Sequence, residues 1–206
     1  YEDITDKQNF TFDVVNAAQI LYNIPESEVY GFELEGSWAP TDGLIVGFAG
    51  GWMDSEINDF EFAPFFPVNN DPAIGSSSGL MLPVTNEFFE GNRLPNFSHW
   101  SVSLTGDYTY PFEFDGRAWD AIFHIDYAVR GKNYWDVFNT DIEKDVNIVN
   151  ARVGIENEHW NVSLWAENLT NSRYWTNWFN QNDAALPDIG YFARERRFGA
   201  TISYRF

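Results

Sequence analysis

The sequence of 206 residues contains no cysteine and is poor in basic residues. Without cysteine, the chain has no disulfide framework, zinc–thiolate site or thiol nucleophile. Lys and Arg number 12 against 31 Asp and Glu, so the net charge is −19. This charge argues against nucleic-acid binding, which needs a basic face that displaces counterions, and also against simple attraction to anionic lipid headgroups.

Long hydrophobic runs are absent too. No segment approaches the roughly 18–20 apolar residues of a membrane-spanning helix, and the longest candidate, Gly43–Met53, has about the length of a membrane-spanning strand. The chain opens without methionine and without a basic region followed by an apolar one, so no signal peptide is visible. We therefore expect a fragment or a processed piece of a longer protein.

Aromatic residues are abundant, at 18% of the chain, which argues against the disorder typical of acidic, aromatic-poor sequences. Apolar residues alternate with polar ones at a period of two, most strictly at the end of the chain. There Phe198, Ala200, Ile202, Tyr204 and Phe206 alternate with Arg197, Gly199, Thr201, Ser203 and Arg205. This period predicts a β-strand with one apolar and one polar face.

Eight segments share this alternation, and no convincing helical period appears. The predicted strands cover about Phe10–Ala17, Tyr30–Trp38, Leu44–Trp52, Phe97–Tyr110, Arg117–Arg130, Val149–Glu156, Trp160–Glu167 and Glu195–Phe206. Long and short connections alternate between them, with short turns at Pro40–Gly43, Pro111–Gly116 and Asn157–His159, long loops at Ile57–Leu94, Gly131–Asp145 and Leu169–Arg194, and a medium connection before Val29. All short turns therefore lie at one end of the strands and all long loops at the other.

The aromatic residues of the apolar face gather at the two strand ends, around a mostly aliphatic band. Those at the short-turn end are Trp38, Tyr108, Tyr110, Trp119, Trp160, Tyr204 and Phe206, and those near the long loops are Tyr30, Trp52, Trp100 and Tyr127. Two aromatic belts around an uncharged band are typical of an outer-membrane β-barrel. The alternatives are an autonomous eight-stranded outer-membrane barrel with a structural or adhesive role, and a soluble β-domain that binds glycans.

Three segments carry a family resemblance. The stretch "WAENLTNSRYW" (Trp165–Trp175), followed by the terminal "RRFGATISYRF", resembles the carboxyl end of TonB-dependent outer-membrane receptors. The segments Val29–Ile57 and Gly91–Tyr108 are similar to two further strand regions of that family, in the same order. The resemblance covers nearly the whole chain. It implies that residues 1–206 form one partial domain, an all-β antiparallel segment of about eight meandering strands from the C-terminal part of a 22-stranded barrel, without the plug domain.

The resemblance also implies a function. Receptors of this family sit in the bacterial outer membrane and import a scarce nutrient, such as an iron–siderophore complex, with energy supplied through TonB acting on the plug. Outer-membrane lipid, TonB, the barrel-assembly machinery and the nutrient are the implied partners. In the family, the terminal aromatic residues, here Tyr204 and Phe206, belong to the signal that the assembly machinery reads.

Candidate site residues follow from the predicted faces and loops. The long loops are rich in aromatic residues, and we expect Trp52, Trp135, Trp175 and Trp178 to contact ligand. We expect the polar face to line the lumen and meet the plug through Glu33, Glu35, Asp120, Asp126, Arg130, Arg152, Glu167 and Arg197. No catalytic constellation or cofactor motif is present, so we expect a non-enzyme without cofactors. The loop carboxylates Asp54, Glu56, Asp59 and Glu61, and Asp141, Glu143 and Asp145, lack EF-hand spacing, so we expect solvated charge rather than a metal site.

Overall fold

A computed structural model describes residues 1–13, 18–60, 89–179 and 188–206 of the chain. Eight strands form one antiparallel sheet: β1 (Glu2–Asp13), β2 (Ala18–Thr41), β3 (Leu44–Asp59), β4 (Trp100–Phe114), β5 (Arg117–Arg130), β8 (Val146–Glu156), β9 (Trp160–Glu167) and β12 (Arg197–Tyr204). Two hairpins lie in the long loops: β6 (Asn133–Tyr134) with β7 (Ile142–Glu143), and β10 (Trp175–Phe179) with β11 (Ile189–Phe192). Within these described ranges, no helix is long and apolar enough to cross a bilayer.

The order of the main sheet is a meander, as predicted. Each strand pairs with the next one of the sheet, from β1 through to β12. β1 pairs only with β2, and β12 only with β9, so within the described residues the sheet is open and not a closed eight-stranded barrel. The all-β, meandering fold class is therefore confirmed.

The strand registers keep the two predicted faces in phase across the sheet. Phe48 of β3, for example, lies opposite Gly36 of β2 and Leu104 of β4, and Leu104 lies opposite Tyr127 of β5. Because directly opposed residues share a face, the apolar residues of one strand continue those of the next. The same phase continues through β8 and β9 to β12, where Phe198 lies opposite Ala166.

The apolar face is open to its surroundings and is not a core. Phe32 is 68% exposed and Phe198 is 67% exposed, although a soluble sandwich would bury both against a second sheet. The buried hydrophobic cluster lies instead at the long-loop end, where it comprises Ile24, Ile57, Phe60, Phe89, Leu94 and Val137. An exposed apolar band is typical of the lipid-facing side of a membrane β-barrel.

The predicted bounds of the first two strands were wrong. β1 begins at Glu2, well before the predicted start at Phe10, and residues 14–17 of the predicted strand lie outside the described residues. The predicted medium connection before Val29 is mostly the outer half of the 24-residue strand β2. Pro25 interrupts the strand pattern there because it has no N–H to donate. The sheet accommodates it beside Asp6, whose φ is 52°, and no bridge pair forms between these two residues.

The predicted end of the fourth strand was also wrong. β4 continues through Pro111 to Phe114, and the turn is Asp115–Gly116, with φ of 52° and 68°, as in the primed turns of two-residue hairpins. The N–H of Thr109 donates to Gly43 O at 2.8 Å, so the odd-numbered residues of β4 direct their N–H groups toward β3. Pro111 lies beyond the start of β3, and its missing N–H therefore costs no strand pairing.

The predicted end of the third strand was wrong as well, because β3 runs seven residues beyond Trp52, to Asp59. β4 begins at Trp100, three residues after its predicted start, and the remaining strand bounds differ from the predicted ones by at most three residues. The turns at Asp42–Gly43 and Asn157–His159 are present, and Asn157 closes the second one because its Oδ1 accepts from the N–H groups of His159 and Trp160 at 2.9 and 2.7 Å. β8 begins three residues earlier than predicted, at Val146, and β12 covers Arg197–Tyr204 within the predicted last strand.

Candidate functional site

The long-loop end of the sheet carries a packed unit, which we call the outer unit. It comprises β1 with the half of β2 that precedes Val29, the end of β3 with Phe60, the segment 89–97, and the β6–β7 region at 133–143. Phe89 is fully buried at its centre, with its ring centroid 4.3 Å from that of Phe60 and 4.9 Å from that of Phe138. Aromatic residues of these loops therefore pack on one another.

Hydrogen bonds join two long loops within the outer unit. Asn139 accepts from the N–H of Arg93 at 2.8 Å through Oδ1 and donates to Arg93 O at 2.9 Å through Nδ2. Asn92 Nδ2 donates to Val137 O at 2.9 Å, and the N–H of Asn96 donates to Tyr134 O at 2.7 Å. Loops that are distant in sequence are thereby held in a fixed relative position, as a ligand-binding rim requires.

Burial also perturbs two ionisable groups of the outer unit. Burial raises the pKa of the Asp136 carboxyl, while hydrogen bonds from Thr140 partly oppose this rise. Burial and the nearby Asp136 charge raise the pKa of the Tyr22 phenol. Both shifts have burial as their largest cause, which is consistent with a dry interior beneath these loops.

The last long loop forms an aromatic hairpin from β10 and β11. The indole of Trp175 lies between Phe192, at a centroid distance of 3.6 Å, and Trp178, at 4.8 Å. The backbone N–H of Trp175 donates to Glu143 Oε2 at 3.0 Å, and Glu143 is only 7% exposed. Glu143 thus ties the aromatic hairpin to the outer unit.

A cavity of about 820 Å³ opens on the outer half of the polar face, beside this hairpin. Its floor consists of small residues, among them Gly51, Ser101 and Ala128, so the wall recedes there. Glu33 and Glu35 contribute carboxylates to the wall, and Arg130 contributes a guanidinium whose carbon lies 5.6 Å from the ring centroid of Tyr174. Apolar, aromatic and charged groups meet in one recess, which is the usual make-up of a ligand site.

The four tryptophans predicted to bind ligand lie in different places. Trp175 and Trp178 are in the aromatic hairpin, next to Tyr174 and Thr176, which line the cavity. Trp135 lies in the loop of the β6–β7 hairpin, and Trp52 lies on the apolar face, stacked on Phe32 at 6.1 Å. None of the four lines the cavity itself. Their contact with ligand stays a prediction.

The eight predicted lumen residues all lie on the polar face, according to the strand registers. The structure brings Glu33, Glu35 and Arg130 together in the cavity, and it pairs Arg197 with Glu167. Asp126 lies 3.0 Å from Nε2 of His124, whose Nδ1 is 2.7 Å from Asp107. Asp120, Arg152 and their neighbours continue the polar face toward the short turns. Contact of this face with a plug stays a prediction.

Sequence reasoning missed Tyr174, Thr176 and Glu143 as site residues. Tyr174 and Thr176 flank the predicted Trp175 and, at a period of two, share the face opposite to it. The alternation would have placed them together on that face if β10 had been recognised as a strand. Glu143 was counted among loop carboxylates, and only the structure shows that it is buried. Across the part of the chain that the structure describes, no group of three or more His, Asp or Glu side chains is placed to hold a metal ion.

Comparisons with known proteins agree with this architecture. The family model described as "TonB dependent receptor-like, beta-barrel" matches residues 1–169. Among solved structures, the chain is similar to the ferric yersiniabactin uptake receptor FyuA of Yersinia pestis, at TM-score 0.67 and 18% identity over 91% of this chain and 25% of the other. It is also similar to the siderophore receptor PiuA of Acinetobacter baumannii, at TM-score 0.63 and 20% identity over 98% and 24%. A third is BauA, the ferric preacinetobactin receptor of the same species, at TM-score 0.59 and 16% identity over 98% and 26%.

The chain spans about a quarter of the length of these solved structures. At such identities the structural likeness establishes the fold, whereas the family match covers most of the chain. The chain belongs to the family of TonB-dependent receptor-like β-barrels, whose members are transporters of the Gram-negative outer membrane.

Proposed function

We propose that this chain is part of the wall of an outer-membrane receptor that captures a scarce nutrient, such as an iron–siderophore complex, and imports it with energy supplied through TonB. Family membership supports the transport role, and the solved relatives include receptors whose names refer to siderophores. The exposed apolar face suits contact with outer-membrane lipid. The proposal includes a plug domain of the same receptor, which occupies the lumen and engages TonB.

The observation that carries the proposal is the 820 Å³ cavity between the polar face and the aromatic hairpin. It lies at the long-loop end, where a ligand arrives from outside. The Tyr174 ring suits the flat apolar parts of a ligand, the Arg130 guanidinium suits an anionic oxygen, and the Glu33 and Glu35 carboxylates suit hydrogen-bond donors of the ligand. The aromatic hairpin with Trp175 and Trp178 covers one side.

Tyr174→Ala tests this site. Loss of the ring removes both a cavity wall and the cation–π contact with Arg130, so we expect nutrient binding to weaken about tenfold, or about 1.4 kcal/mol. The measurement is uptake of radioiron by whole cells from a panel of ferric siderophores, with and without TonB. Tyr108→Ala is the matched control, because Tyr108 is an aromatic residue of the apolar face at the other end of the sheet.

Three results decide the outcome of this test. Uptake that requires TonB and falls in Tyr174→Ala, while Tyr108→Ala keeps it, supports the proposal. Uptake from no member of the panel contradicts an iron–siderophore as the nutrient. Equal uptake by both variants contradicts the assignment of the cavity as the site of capture.

We further propose that Tyr204 and Phe206 form the signal for barrel assembly. Both lie at the end of the last strand of the sheet, and their rings meet edge to face at 5.1 Å. Phe206→Ala should lower the amount of folded receptor in the outer membrane several-fold while synthesis is unchanged. Immunoblots of membrane fractions, with and without heating, measure this amount, and an undiminished folded band in Phe206→Ala contradicts the role.

A self-contained eight-stranded barrel is not favoured. That alternative requires β1 to pair with β12, and among the described residues β1 pairs with β2 alone. A soluble glycan-binding domain is not favoured either, because it would leave the apolar face of the whole sheet in water.

A further inference from the structure

A second cavity, of about 420 Å³, lies on the polar face at the opposite, short-turn end. It is formed where β8, β9 and β12 end, around the turn at Asn157–His159. The nutrient site described above does not include it, since the two cavities share no lining residue. The role of this second cavity therefore needs a separate explanation.

The charge of this cavity contrasts with that of the chain. The whole sequence has a net charge of −19, yet two arginines, Arg152 and Arg205, line the cavity against a single lining carboxylate, Glu156. Glu156 Oε2 already accepts a hydrogen bond from Asn161 Nδ2 at 2.5 Å, and Asn161 Oδ1 accepts from Arg152 Nη2 at 3.4 Å. Within the described residues, the Arg205 guanidinium forms no ion pair.

A buried hydroxyl in the cavity wall lacks a partner as well. Ser163 is only 2% exposed, and its Oγ has no hydrogen-bond partner among the residues that the structure describes. Buried polar atoms of this kind are rare, because an unmade hydrogen bond costs about 1–3 kcal/mol. Ser163 is one of the lining residues, so a polar group bound in the cavity is the candidate partner for this hydroxyl.

An aromatic surface completes the cavity. Trp165 lies on the polar face opposite Arg152, and its indole packs against Gly199. A Cβ at residue 199 would come within 2.1 Å of the indole Cζ2, so glycine is what allows the ring to lie there. Guanidinium groups, a free hydroxyl and an aromatic face are together the chemistry that recognises an organic anion.

We propose that this cavity is a binding site for an oxyanion, in which Arg152 and Arg205 bind a carboxylate, Ser163 donates its hydroxyl hydrogen, and Trp165 packs on the organic part of the ligand. The inference rests on the proposed function, because it takes the polar face to line the passage through the barrel. The carboxylate has two possible sources: the transported nutrient on its way to the periplasmic side, or an Asp or Glu side chain of the polypeptide that fills the barrel.

The test uses the full-length receptor that contains this chain, purified in detergent and labelled with fluorotryptophan. Trp165→Phe identifies the fluorine NMR signal of Trp165, and citrate is the carboxylate probe. We expect saturable movement of this signal with citrate, and an affinity about tenfold lower in Arg205→Gln, since a charge-assisted hydrogen bond is lost. Arg117→Gln is the matched control, because Arg117 lies at the same end of the sheet but does not line the cavity.

The two sources give different results. A response of the full-length receptor supports a site open to a diffusible ligand. A response that appears only after the barrel-filling domain is deleted supports occupation by a side chain of that domain. No response in either form, or equal citrate affinity in Arg205→Gln and Arg117→Gln, overturns the inference. The titration needs no uptake, so a receptor that binds citrate here but imports no radioiron contradicts only the proposed nutrient.

Discussion

Leu104→Arg is expected to prevent stable insertion of the receptor. Leu104 lies on the apolar face of β4, midway between the aromatic-belt residues Trp100 and Tyr108. It lies opposite Phe48 and Tyr127 and is 44% exposed. If this face meets lipid, an arginine at the bilayer midplane costs about 2–4 kcal/mol, a large part of the stability of a typical fold. The measurement is the folded fraction in lipid vesicles, read from the change in gel mobility on heating and from urea titration.

Ser103→Arg is the control for this prediction. Ser103 precedes Leu104 in the same strand, at nearly the same depth, but it lies on the polar face. We expect its folded fraction to stay near that of the unchanged receptor, because an arginine there meets water or acidic groups. Equal folded fractions of the two variants would mean that the apolar face meets lipid no more than the polar face does, and the membrane assignment of the sheet would be wrong.

Phe89→Ala is expected to loosen the outer unit while the barrel wall stays folded. Phe89 is fully buried between Phe60 and Phe138, and truncation of a buried phenylalanine costs about 3–5 kcal/mol. The lost stability concerns the loops of the outer unit, which contain the only sizeable buried hydrophobic cluster of the described residues. Amide hydrogen exchange measures the effect: segments 89–97 and 133–143 should exchange much faster, whereas β4 and β5 should not change.

Two matched variants separate packing from mere loss of an aromatic ring. Phe89→Leu keeps most of the buried volume and should show a smaller effect than alanine. Phe114→Ala removes a ring that is 67% exposed and should leave loop exchange unchanged. Faster exchange of β4 and β5 in Phe89→Ala would show that the outer unit and the wall unfold together, against this prediction.

The faces of the sheet could be predicted because they depend on side-chain chemistry at a period of two. Leu104 and Ser103 differ in polarity. Large side chains lie opposite Leu104, at Phe48 and Tyr127, and small ones lie opposite Ser103, at Ala49 and Ala128, so a register slip of one residue would mix the two faces. The strand ends could not be predicted as well, because Pro25 and Pro111 read as breaks in the pattern. Both are tolerated where no neighbouring strand requires their missing N–H.

The candidate site was predictable only in part. Asp107 lies opposite His124 because the turn between β4 and β5 is centred on Asp115–Gly116. The predicted turn at Pro111–Gly116 would have placed a different residue of β5 opposite Asp107. The outer unit depends on contacts between loops far apart in sequence, such as Phe60 with Phe89 and Asn139 with Arg93, for which the alternation contains no signal. Tryptophan-rich loops indicated a recognition surface but not which rings face a cavity.

The length of β2 has a consequence for how the receptor meets its surroundings. Half of its 24 residues, Ala18–Val29, lie alongside β1 beyond the outer aromatic belt, a ribbon about 40 Å long at roughly 3.3 Å per residue. In the proposed orientation, this ribbon rises through the sugar layer of the cell surface even when it is tilted. An antibody or a phage tail fibre approaching from the medium would touch it well before the bilayer, which makes the β1–β2 ribbon the natural place for an epitope.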